Sequence, residues 1–185
     1  MNPEAQMTRS ELEAGFQALP PPPKDAGFLR AIVRRLAPGL HQPLDQTLLS
    51  LEEGVSGDEW NRREPRDPAA QLAVMRHDIA SLIAHGREPA EFGDNLLVEL
   101  DVSAANLPAG TRLRLGEATV EVTPKPRAGC SKLRRLFGED AVAFLNEPAR
   151  RDQRLRGVYW KVVAAGRVKV GGAVEVLERG PRSHP

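Results

Sequence analysis

Cysteine occurs only once in the 185 residues of the chain, at Cys130. A single thiol excludes a disulfide within the chain. It also excludes a zinc or iron–sulfur site built from several thiolates of one chain. Any sulfur chemistry that the protein performs therefore belongs to Cys130.

Aromatic residues and an excess of charge of one sign are also scarce. Aromatic residues make up 4% of the chain and the formal net charge is +1, so there are few stacking platforms and little overall attraction to nucleic acid. No apolar run is long enough to cross a bilayer, and residues 1–19 lack the continuous hydrophobic stretch of a signal peptide. We therefore expect a cytoplasmic protein with neither a membrane nor a nucleic-acid partner.

The length and the positions of helix- and strand-breaking residues predict one domain with two tails. At 185 residues the chain is only slightly longer than a common single domain. Its first part is polar and contains four consecutive prolines at 20–23, which favour extended backbone. We predict a polar, Pro-rich N-terminal tail over 1–26, a folded domain over 27–179 and a C-terminal tail over 180–185.

Alternation of apolar and polar residues indicates that this domain is rich in β-strands. The alternation is visible at 97–102, 118–122, 157–163, 168–170 and 174–177. Helical spacing of apolar residues predicts short helices at 78–84, 131–137 and 139–146, with Gly138 between the last two. The segment 28–36 fits a helix or a strand, because its apolar spacing suits both. The predicted class is β-rich α+β.

The segment around the cysteine resembles the MOSC family, named for the C-terminal domain of molybdenum cofactor sulfurases. The sequence RAGCSKL at 127–133 carries the resemblance, and three residues separate it from the predicted strand at 118–123. Four flanking segments agree in order and spacing: LEEGVSGD at 51–58, QLAVM at 71–75, LRGVYWKV at 155–162 and GRVKVG at 166–171. The resemblance covers about residues 27–177 and implies a MOSC-like β-barrel in which 28–36 and 71–75 are strands.

The resemblance also implies a binding site for the molybdenum cofactor. Cys130 would be both the metal ligand and the catalytic residue. The residues that the resemblance places at the cofactor are Arg127, Lys132, Asp58, Asn95 and Arg156. The implied reaction is reduction of a small N-hydroxylated or N-oxide compound. It requires an external electron-transfer protein as donor, because the sequence has no flavin or haem motif.

The chemistry of cysteine leaves several functions open. A thiol binds metal or transfers sulfur only as the thiolate. Basic neighbours and a helix starting near Ser131 would favour this form. The thiolate could ligate molybdenum, or it could carry a persulfide accepted from a cysteine desulfurase. Alternatively, Cys130 is a small buried hydrophobic residue and the protein is a non-catalytic, partner-binding module.

The polar residues also have structural alternatives. Asp58 follows a glycine and could cap a turn. Asn95 and Arg156 could hold loops by hydrogen bonds to the backbone. The basic residues between 125 and 135 could form a solvated surface instead of an anion site.

Overall fold

The computed structural model describes residues 6–127 and 131–181 of the chain. Within these ranges the helices are α1 (Arg9–Ala18), α2 (His77–Ala84) and α3 (Ser131–Leu145), and short 3-10 helices occupy Glu59–Arg62, Pro68–Ala70, Pro89–Phe92 and Pro148–Gln153. The strands are β1 (Ala26–Ala37), β2 (Leu40–Leu44), β3 (Gln46–Ser50), β4 (Gly54–Val55), β5 (Leu72–Arg76), β6 (Leu96–Glu99), β7 (Arg112–Leu115), β8 (Ala118–Val122), β9 (Val158–Ala164), β10 (Gly166–Lys169) and β11 (Ala173–Glu178).

Seven strands of the described chain close into a barrel. Around the barrel the order is β1, β11, β7, β8, β9, β5 and β6, and β6 pairs with β1 to complete the circle. The β5–β6 pair is parallel and the other neighbours are antiparallel. Strand β2 forms a hairpin with β1, and β10, β3 and β4 form a separate small sheet. The predicted β-rich barrel with a few short helices is confirmed.

The apolar core has two parts, one inside the barrel and one between the barrel and the helices. Val74 and Met75 show the division, because they are neighbours on β5 and face opposite sides of the strand. Val74 packs inside the barrel, and Met75 packs in the outer cluster with residues of α1, α2 and α3. The helices therefore cover one outer face of the barrel, which makes its strands buried on both sides there.

The structure resolves the ambiguous segments in favour of strands. Residues 28–36 lie within β1, and most of 71–75 lies in β5. The two helices predicted on either side of Gly138 form α3, which is kinked at this glycine (φ 90°). In the described part of the chain, no helix is both long and apolar enough to span a membrane.

Helix α1 was not predicted, since it lies inside the segment expected to be a polar tail. A capping box between Thr8 and Glu11 begins the helix. Its Leu12 is fully buried in the outer cluster, and Phe16 contacts the ring of Phe144 edge-on at a centroid distance of 5.7 Å. The predicted tail thus contains a docked helix in this stretch, because a few apolar residues on one helix face suffice for docking when the rest of the helix is polar.

Candidate functional site

Three consecutive residues, Gly93, Asp94 and Asn95, connect the polar groups that the sequence singled out. They lie between the 3-10 helix Pro89–Phe92 and strand β6. Gly93 adopts a left-handed backbone (φ 75°), which turns the chain sharply before the strand begins. Each of the three residues faces a different cluster of charged or polar side chains.

Asp94 joins two arginines that are far apart in the sequence. Its carboxylate is fully buried, accepts hydrogen bonds from Arg156 Nη1 at 3.0 and 3.3 Å, and is in direct contact with Arg127 Nη1. Burial acts to raise the pKa of Asp94, but the charges of Arg127 and Arg156 outweigh it and hold the pKa below its ordinary value. One negative charge thus faces two guanidinium groups, both with side chains at most 8% exposed.

Gly157 allows Arg127 to approach the barrel wall. Arg127 Nη1 donates to the carbonyl oxygen of Val74 at 3.3 Å, and its guanidinium lies 4.8 Å from the centre of the Tyr159 ring. A Cβ at Gly157 (φ 100°) would lie 2.1 Å from that same carbonyl oxygen and 2.9 Å from Arg127 Nη1. Only glycine fits there, because both its backbone conformation and its surroundings exclude a side chain.

Asn95 belongs to a second buried network, formed with Asp58 and Arg35. Asn95 Nδ2 donates to Asp58 Oδ1 at 3.0 Å, and Arg35 Nη2 donates to Asp58 Oδ2 at 2.6 Å. Burial acts to raise the pKa of Asp58, yet hydrogen bonds and charge from Arg35 lower it below its ordinary value. Asp58 is therefore an ionised, positioned carboxylate at neutral pH.

Gly93 faces a pair formed by His41 and Lys132. Lys132 Nζ lies 2.9 Å from His41 Nε2, and a Cβ at Gly93 would lie 2.7 Å from the imidazole. Burial and the charge of Lys132 lower the pKa of His41. A hydrogen bond with the backbone of Ala90 opposes this shift without reversing it. His41 is thus neutral at pH 7, so its Nε2 can accept a hydrogen bond from the ammonium group.

The structure brings together five of the six residues that the sequence predicted for the site. Arg127 and Arg156 share Asp94, Asp58 and Asn95 bond to each other, and Lys132 bonds to His41. Cys130, the predicted metal ligand and catalytic residue, lies outside the described residues.

Two of the structural alternatives considered for these residues are also present. Asp58 accepts a hydrogen bond from the backbone N–H of Trp60 and caps the 3-10 helix Glu59–Arg62. Asn95 accepts from the N–H of Ala73 at 3.0 Å and donates to the carbonyl oxygen of Val33 at 3.2 Å. These two residues therefore tie β1, β5 and β6 together while also holding each other.

The sequence did not single out Asp94, Arg35 or His41. Asp94 stands directly before Asn95, and a Gly-Asp-Asn turn ahead of a strand is a signal that could have been used. Arg35 and His41 carry no such signal, since they lie on the β1–β2 hairpin, 23 residues and 91 residues from their partners Asp58 and Lys132. Only the pairing of strands shows that these residues meet.

The site as a whole suits an anionic group. Two guanidinium groups share one carboxylate, and the ammonium group of Lys132 faces a neutral imidazole. Because Gly93 and Gly157 have no side chains, Lys132 and Arg127 can lie close to the backbone at these two positions. A phosphate group carries negative charge, so the cationic groups present fit a phosphate such as that of a pterin cofactor.

Comparison with known proteins agrees with this architecture. The crystal structure of YuaD from Bacillus subtilis is similar to this chain, with 17% sequence identity and a TM-score of 0.60. The alignment covers 82% of this chain and 95% of that chain. The crystal structure of YiiM from Escherichia coli has 21% sequence identity to this chain and a TM-score of 0.55. The alignment covers 83% of this chain and 71% of YiiM. At these identities the likeness shows a shared fold.

Sequence comparison adds a relative and a family. YflK of Bacillus subtilis is 36% identical over 94 residues, which are 50% of this chain and 39% of YflK. The chain thus spans about two fifths of the length of the curated relative that it matches. The family model of the MOSC domain matches residues 49–175, which include β6, Asp58, the 93–95 turn and the Cys130 segment. The chain therefore belongs to the MOSC domain family.

Proposed function

We propose that this protein binds the molybdenum cofactor, with the thiolate of Cys130 as the protein ligand of the metal. MOSC domains are generally associated with binding of this cofactor. The observation that most supports the proposal concerns the residues on either side of the cysteine segment. Arg127 and Lys132 are both held at the 93–95 turn, the first by Asp94 and the second beside Gly93. The two cations that flank Cys130 in sequence are thus gathered at one place.

In this proposal the described residues bind and orient. Arg127, Lys132 and Arg156 supply positive charge for the anionic groups of the cofactor. Asp58 and Asn95, which are almost fully buried, position Arg35 and the start of β6. The cofactor, when bound, supplies two-electron redox chemistry at its metal.

The proposed reaction is reduction of an N–O bond in a small N-hydroxylated or N-oxide substrate. Conversion of an N-hydroxyl compound to the parent base and water consumes two electrons and two protons, by the stoichiometry of that reaction. An external electron-transfer protein provides the electrons. Lys132 Nζ, hydrogen-bonded to the neutral His41, holds a proton at the site.

The test is to measure molybdenum and released pterin per chain in protein from a cofactor-producing host. We expect the wild type to carry both and Cys130→Ala to lose the metal. Ser131→Ala, one residue further along, serves as the matched control and should keep it. Metal and pterin missing from the wild type would refute the proposal.

The alternative is a persulfide carrier supplied by a cysteine desulfurase. It rests on the same thiolate, and cations near Cys130 would stabilise it equally. After incubation with a desulfurase and cysteine, intact-mass spectrometry would show one added sulfur atom on the wild type and none on Cys130→Ala. An unchanged mass in metal-free wild type would reject the carrier.

A further inference from the structure

A cleft of about 630 Å³ lies beside the Arg127–Asp94–Arg156 cluster. Its walls come from residues 124–127 after β8, from the end of α3 and the turn that follows it, and from 151–158 ahead of and into β9. The volume is typical of a site for a small molecule. Apolar side chains cover part of the wall: Pro124, Pro126, Leu145, Pro148 and Val158.

The charged side chains of the cleft are mostly cationic. Five cations line it: Lys125, Arg127, Arg151, Arg154 and Arg156. The carboxylates in the wall are Glu147 and Asp152, and Glu147 is bound by Arg9. The excess of cationic charge in the wall comes from Arg151 and Arg154, because Lys125 is paired with Asp67, and Arg127 and Arg156 share Asp94.

Arg154 and Arg151 contribute to this excess most directly. Arg154 donates to the carbonyl oxygens of Leu107 and Val102 at 2.7 and 3.5 Å, and burial lowers the pKa of its guanidinium. Among the described residues Arg151 has no ion-pair partner, and its side chain is exposed. Asp152 acts to raise the pKa of Arg154 and so offsets part of its charge. An anion entering the cleft would offset the remaining cationic charge.

We propose that this cleft binds an organic oxyanion, a small molecule with an apolar body and a carboxylate or phosphate group. The apolar body packs on the prolines and Leu145, and the oxyanion binds the guanidinium groups of Arg151 and Arg154, which suit both carboxylate and phosphate geometry. The inference deepens the proposed function by naming a substrate class. The assignment of the bound oxyanion to a substrate rests on the proposed function. The binding of an oxyanion in the cleft does not depend on it.

The binding test uses benzoate and phenyl phosphate, with benzamide as an uncharged isostere of benzoate. Each is titrated into isotope-labelled, cofactor-free protein and followed by amide chemical shifts. We expect shifts at 124–127 and 145–158, weaker binding as salt rises, and benzamide binding that is weaker by about tenfold or more. Equal affinities for benzoate and benzamide, or shifts elsewhere in the molecule, would overturn the inference.

Arg151→Gln tests the cationic wall without disturbing a buried group. It should weaken benzoate binding about three- to tenfold, as expected for loss of one charge-assisted contact. Arg167→Gln removes the same charge from an exposed position on β10, in the separate small sheet, and should leave the affinity unchanged. Equal effects of the two substitutions would argue against the cleft as the binding site.

A comparison with cofactor-loaded protein identifies the source of the anion. Binding that persists after loading supports a separate ligand. Binding that disappears means that the cofactor's own phosphate occupies the cleft, and it overturns the assignment to a substrate. The two proposals can also fail separately: a protein with molybdenum but no oxyanion binding refutes only the inference, and a metal-free protein that binds benzoate refutes only the proposed function.

Discussion

At the scale of single residues, Asp94 is a buried carboxylate that two arginines share. It is fully buried and contacts two guanidinium groups that come from opposite sides of the Cys130 segment. Desolvation of one carboxylate and two cations is costly, and the cost is offset only while the charges remain together. Asp94 is therefore both a structural requirement and the group that sets the positions of Arg127 and Arg156.

Asp94→Asn should destabilise the protein by about 3 kcal/mol, because it leaves two buried cations without their counter-charge. Urea unfolding followed by circular dichroism measures the change. Asp25→Asn is the matched control: Asp25 pairs with Arg179 at the surface and its side chain is 82% exposed, so its loss should cost no more than about 1 kcal/mol. Similar effects of the two substitutions would contradict the role assigned to Asp94.

At the scale of elements, helix α1 shows how a polar segment becomes part of the folded unit. Arg150 packs over the Phe144 ring at 4.6 Å and donates to Glu13 of α1 at 2.6 and 2.8 Å. The helix thus docks through a small apolar contact surrounded by ion pairs. It covers the helix layer that includes α3, the helix that follows Cys130.

Leu12→Ala tests this docking. Leu12 is fully buried, so the substitution should lower the free energy of unfolding by about 2 to 4 kcal/mol through lost burial and a residual cavity. Leu40→Ala on the β1–β2 hairpin is the control, since Leu40 is 56% exposed and its truncation should cost less than about 0.5 kcal/mol. A small effect at Leu12, measured by urea unfolding, would mean that α1 does not dock in solution.

At the scale of the whole molecule, stability should depend on pH through half-buried histidines. Burial and the charge of Arg30 lower the pKa of His77 below its ordinary value of 6.5, although Asp78 and Glu99 oppose the shift. The folded state therefore favours neutral His77. The contribution of His77 to the free energy of unfolding is complete above pH 6.5 and is lost as the pH falls below that value. The reason is that, below pH 6.5, His77 takes up a proton more readily in the unfolded chain than in the folded protein.

His77→Gln should flatten this dependence. Between about pH 7.5 and about pH 5.5, the wild type should lose more unfolding free energy than the variant. His85→Gln, which removes an exposed imidazole just after α2, is the control for the loss of a histidine. Parallel stability profiles for the wild type and His77→Gln would show that His77 does not contribute.

The sequence by itself determined the strand-rich class, the split of α3 at Gly138 and the family, and it predicted five residues that the structure brings to the 93–95 turn. Period-two alternation and glycine positions are local properties, so they can be read along the chain. Only the tertiary structure decided that Asp94 joins Arg127 to Arg156, that Arg35 and His41 enter the site, and that α1 packs on the core. These contacts link residues far apart in sequence, and they depend on strand pairing and side-chain packing, to which local periodicity is insensitive.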